Sequence, residues 1–165
     1  MSTKELFVTD NAIDLAIERL ENMDTTEINN LFETLSHDQP YLMGFVVGLG
    51  EGLDNNEAEE DLFYLTMVIW HSIELSQNDK TIKIEEDKLK ELEEKMMNRF
   101  DEVMSFTDEN EEDEIAQMIA TSSQPALVSY LADEFFSDEY TNLAEEKVAK
   151  MFSCMSVVAE KLAER

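Results

Sequence analysis

The residues with the most unusual placement for chemistry are the glycines. All four lie in GFVVGLGEG, at Gly44, Gly48, Gly50 and Gly52. A Gly-x-Gly-x-Gly run can cradle a phosphate, but that use needs a preceding strand and cationic or amide-rich surroundings. Here the flanking residues include Glu51, Asp54 and Glu57, and no Lys or Arg lies between Leu20 and Asp79. Nucleotide binding is therefore not expected. Gly44 and Gly48 stand four apart, on one face of a helix. The expectation is that a core side chain such as Trp70 fills this thin face. The alternative is that the face floors a groove. In either case Gly50 and Gly52 are expected to end the helix.

Other candidate chemistry is sparse. Di-iron carboxylate bundles use Glu-x-x-His motifs. The two histidines, His37 and His71, have no Glu three residues earlier. The runs DNNEAEED and DENEEDE lack the central Gly and ligand spacing of an EF-hand loop. No metal site and no cofactor are expected. Cys154, the single cysteine, lies in FSCMSVV with no His near it in sequence, so it reads as a small core residue. Without a nucleophile–base pair, the expectation is that the chain is not an enzyme. The ten methionines include Met96, Met97, Met104, Met118, Met151 and Met155, read mainly as core filler.

The elements that must position these residues are helical. The chain has 165 residues, 43% hydrophobic, with 4 Gly and 2 Pro, too few turn formers for a β-rich fold. Apolar residues recur at helical spacing nearly throughout. Ala12–Leu20 marks a first helix, with Asp10 or Asn11 as cap. Ile28–Leu35 marks a second, capped near Thr25 or Thr26. A third opens at Pro40, and a fourth starts in the acidic run and carries Leu62, Leu65, Ile69 and Ile73. After a connector at 77–84 the pattern resumes, with helices through Leu89–Phe100, Ile115–Ile119, Leu127–Phe135 and Val148–Leu162.

The two passes correspond. DQPYLMGFVV and SQPALVSYLA both place Gln-Pro before an apolar run, so Gln39 and Pro40 align with Gln124 and Pro125 at an offset of 124 − 39 = 85 residues. The offset is 87 for the second helix (115 − 28) and 86 for the fourth (148 − 62), so it drifts only at loops. Pro suits a first helical turn, and the preceding Asp38 or Ser123 could cap it. The expected fold is all-α. It is a single domain over 1–165, built from two similar four-helix halves (about 10–76 and 85–165) that arose by internal duplication. The halves would form either a HEAT-like superhelix or a compact bundle.

Charge narrows the function classes. With 39 acidic and 12 basic residues the net charge is −27. That disfavours direct binding to nucleic acid or to anionic membranes, and favours basic partners. Half the basic residues fall in Lys80–Arg99, where Glu and Lys can pair at helical spacing. No signal peptide or membrane span is legible, and the expected location is cytoplasmic. The leading reading is a non-enzymatic protein-interaction module whose partner is another protein, a basic one being one option, docking against a helical face or the Gly-lined groove. The alternatives are an acidic mimic of nucleic acid that sequesters a DNA-binding protein, and a carboxylate metal-binding protein.

Overall fold

The computed structural model describes residues 7–136 and 143–164, and all regular structure among them is helical. The order is α1 (Asp10–Glu21), α2 (Thr25–Asp38), α3 (Pro40–Leu53), α4 (Asn56–Gln77), α5 (Glu86–Met104), α6 (Glu111–Thr121), α7 (Pro125–Phe135) and α8 (Glu145–Leu162). No described helix is long and apolar enough to cross a membrane.

The helix starts show how side chains compete for unpaired first-turn amides. Thr9 caps α1, its hydroxyl accepting from the Ala12 amide, so the cap lies one residue before Asp10. Asp24, not Thr25 or Thr26, caps α2, its Oδ1 accepting from the Glu27 amide at 2.8 Å. Asn55 caps α4 in the same way at 2.9 Å. Each of these residues is extended and one step outside the helix, the geometry that aims a short side chain back at the third amide. Pro40 and Pro125 both open their helices, as expected. Neither helix has a side-chain cap, so Asp38 and Ser123 do not play that part. Gly50 and Gly52 do not end α3. The helix continues through Leu53 and stops at Asp54, whose left-handed backbone (φ 51°) turns the chain.

Two helices form the centre. Nearly every residue of α8 from Val148 to Ala159 is buried, and α4 is buried over most of Leu62–Ile73. These two helices pack on each other. Around them, α1 and α3 lie on α4, while α5 and α7 lie on α8; α2 backs α3 and α6 backs α7. The outer helices also meet across the middle, α1 against α7 and α3 against α5.

The non-helical segments ahead of α1 and α5 contribute to the core as well. Val8 and Ile84 are both almost completely buried. Each is held by a buried glutamine at the start of a helix in the other half of the chain. The Ile84 amide donates to Gln39 Oε1 at 2.9 Å, and Gln39 Nε2 donates to Thr81 Oγ1 and to the Ile82 carbonyl. The Val8 amide donates to Gln124 Oε1, also at 2.9 Å. The two glutamines share one backbone conformation, φ/ψ −131/61° at Gln39 and −134/70° at Gln124.

Candidate functional site

The outward face of α3 carries Tyr41, Gly44, Val47 and Gly48, and is uncharged from Pro40 to Gly50. Beside it a groove of about 530 Å³ runs between three helices. Gly44, Phe45, Gly48 and Leu49 come from α3; Glu93, Met96, Met97 and Phe100 from α5; Glu146, Lys150 and Cys154 from α8. Its size is that of a typical ligand cleft.

Open space lies over the glycines. A Cβ placed on Gly44 or Gly48 would meet no atom within 4 Å, and the same holds for Gly52. This overturns the expectation of a face filled by a core side chain. Trp70 is buried on α4 and does not reach the glycines. Gly50 alone is closely packed: an added Cβ would lie 2.9 Å from Glu59 Cγ. Of the sequence-derived positions, then, Gly44 and Gly48 line the groove, Gly50 packs against α4, and Gly52 faces open space. Gln39, Pro40, Gln124 and Pro125 hold helix starts and lie outside the groove lining.

The groove's far wall is methionine and phenylalanine. Met96 is buried beneath it, whereas Met97 is 63% exposed at its edge. Met104 is also exposed, so the methionines divide between core (Met96, Met118, Met151, Met155) and surface. Methionine is more often buried than exposed, and its unbranched thioether adapts to varied partners.

Three of the lining side chains are charged. Glu93 and Glu146 oppose one cation, Lys150, which forms no ion pair among the described residues. Burial pushes the Cys154 thiol up to about 11, with Glu93 adding and Lys150 opposing. Such a thiol stays protonated near neutrality and is a poor nucleophile. His71 is elsewhere, in a depression of about 360 Å³ against α1, and burial followed by the charge of Arg19 holds its imidazole below the ordinary value. His37 is exposed beside Asp38. Among the described residues no three His, Cys, Asp or Glu side chains gather closely enough to hold a metal ion.

Two contacts that sequence reasoning missed fix the groove's walls. Lys147 of α8 donates to the Leu53 carbonyl at 2.8 Å, seating a cation on the C-terminal end of α3. Arg99 of α5 donates to Glu160 and Ser156 of α8 at 2.7 and 3.0 Å, and Ser122 donates to the other oxygen of Glu160. No local pattern marks either contact, because the partners are 94 and 61 residues apart. Comparison with protein-family models, with curated proteins and with solved structures finds no match.

Proposed function

We propose that this chain is a non-enzymatic interaction module whose α3–α5–α8 groove receives a segment of a basic partner protein. The observation that carries the reading is the openness above Gly44 and Gly48. A glycine inside a helix costs roughly 0.5–1 kcal/mol relative to alanine. Neither glycine has a positive φ or a neighbour that an alanine would strike. Folding therefore gives no reason for them, and a surface that must admit something close to the backbone does. The acidic surface agrees, since a net charge of −27 attracts cationic proteins and repels nucleic acid.

A photo-reactive amino acid at Met97 tests this in the native cell. The expected result is a discrete cross-linked protein that is absent when the probe sits at Gln117 of α6, outside the groove, and lost on Gly48→Leu. Identical products from both positions, or none from Met97, would remove the reading.

We also propose that the eight helices are two halves related by duplication and closed into a compact bundle rather than an open superhelix. Support comes from the reciprocal glutamine clamps, in which each half holds the segment ahead of the other's first helix. Burial agrees at the aligned positions: Leu42 and Leu127, Val46 and Leu131, Leu65 and Met151, Ile69 and Met155 are all buried. The packing of α1 on α4 and α7 parallels that of α5 on α8 and α3. An open superhelix would keep its first and next-to-last helices apart. At the places aligned with Gly44 and Gly48 stand Ser129 and Asp133, so the glycine pair belongs to one half only.

A further inference from the structure

We infer that the occupant of the groove is a cationic amphipathic helix of another protein, an inference that rests on the interaction reading above. Three features of the groove select this chemistry.

The first is shape. Two glycines one turn apart expose helix backbone between larger neighbours, so a second helix can lie close against α3. Packed helices sit about 8–10 Å apart, the small value requiring small residues at the crossing. With 14 residues α3 is about 21 Å long, and its middle, Gly44 to Leu49, lines the groove. The second is polarity. Tyr41 and Val47 flank the glycines, and Met97 stands across from them, 63% exposed. A ridge of apolar residues at i, i+3, i+4 and i+7 fits such a surface.

The third is charge, which decides among occupants. Two carboxylates, Glu93 on α5 and Glu146 on α8, outnumber the one cation of the lining, Lys150, and Glu51 is exposed in the last turn of α3, which has no basic residue. A second copy of this chain would bring another −27 charges to this margin, and an anionic lipid surface would also be repelled. A helix with Lys or Arg flanking its apolar ridge meets carboxylates on both walls.

Three fluorescent peptides of about 16 residues, long enough for four turns, test the inference on the full chain. One carries leucines at helical spacing with lysines elsewhere; the second has the same composition with the spacing scrambled; the third replaces lysine by glutamate. The first should bind about tenfold or more tighter than the second and third, and added salt should weaken it. Gly48→Leu should reduce that binding about tenfold without lowering the melting temperature. Met97→Glu, an exposed position that is safe for folding, should reduce or abolish the preference for the spaced peptide. Glu93→Gln with Glu146→Gln should flatten the salt dependence.

Equal binding of the spaced and scrambled lysine peptides would overturn the inference, reducing the effect to bulk charge. So would indifference to both Gly48→Leu and Met97→Glu, or sedimentation showing a dimer that Gly48→Leu converts to monomer. If Met97 cross-links a protein in the cell but the spaced peptide shows no preference, the partner is not a helix: this inference falls and the interaction reading stands.

Discussion

A buried amide side chain is costly unless its oxygen and nitrogen are both satisfied, and Gln39 meets that condition with three partners on one segment. Its oxygen takes the Ile84 amide, and its nitrogen serves Thr81 and Ile82. Gln39→Leu keeps the bulk but strands that amide and carbonyl. The expected loss is about 1–3 kcal/mol, read as a fall of several degrees in the melting temperature. A loss no larger than that of Gln77→Leu, on a half-buried and less central amide, would mean the clamp adds nothing. Glu74 supplies a pH-dependent case. Burial first, then Asp38 and Asp79 against the opposing Lys80, raises its pKa above the ordinary 4.5. The folded state thus binds the proton more tightly than the unfolded chain. That contribution is complete below the ordinary value and is lost as pH rises through the folded value. Glu74→Gln should therefore raise the melting temperature at neutral pH and change it little near pH 4. An equal change at both pH values would contradict the assignment.

At the scale of the helix, α3 combines a strong start with an interior weakened by glycine. Pro40 fixes the first turn, and Lys147 stabilises the last by donating to the Leu53 carbonyl. Between them, Gly44 and Gly48 sacrifice helix propensity. Since an added Cβ strikes nothing at either position, Gly44→Ala and Gly48→Ala should each stabilise the protein by about 0.5–1 kcal/mol. Gly50→Ala should gain less, because its Cβ would displace the Glu59 side chain. Thermal denaturation of the three variants gives the order, and a destabilising Gly48→Ala would show that the helix needs the glycine for itself. On α7, Tyr130 is partly buried, and burial followed by Glu134, Tyr64 and Glu21 raises its hydroxyl pKa.

Across the whole molecule, electrostatics oppose folding. Among the described residues four close Lys or Arg ion pairs are set against 39 acidic residues in the chain, and two of the four, Lys80–Asp38 and Lys88–Glu91, have a lysine more than half exposed, where a pair is worth little. Lys88–Glu91 at 3.9 Å is what remains of the pairing expected along α5. Arg99–Glu160 differs because Ser156 and Ser122 complete its hydrogen bonds in a half-buried site joining α5 to α8. A chain of charge −27 repels itself, and salt screens that repulsion over about 10 Å at 0.1 M. The melting temperature should rise when sodium chloride goes from about 10 mM to about 0.5 M, and the rise should be smaller near pH 4, where many carboxylates are protonated. A melting temperature that falls with salt would indicate that the ion pairs outweigh the repulsion.

The sequence by itself determined the helices, because helix formation depends on spacing that a reader can see. Apolar residues every three to four positions, Pro40 and Pro125 at helix starts, and short polar residues before helices place the eight described helices to within a few residues. It also marked Gly44, Gly48, Gln39 and Gln124 as unusual. What those residues do was decided only by tertiary structure. Whether a glycine face is filled depends on what lies beyond the missing side chain, and that is set by α5 and α8, far along the chain. The glutamine clamps, the burial of Val8 and Ile84 in non-helical segments, and the Lys147–Leu53 contact are likewise long-range. Local periodicity records which face of a helix is apolar; it carries no information about which distant element covers that face, or whether any does.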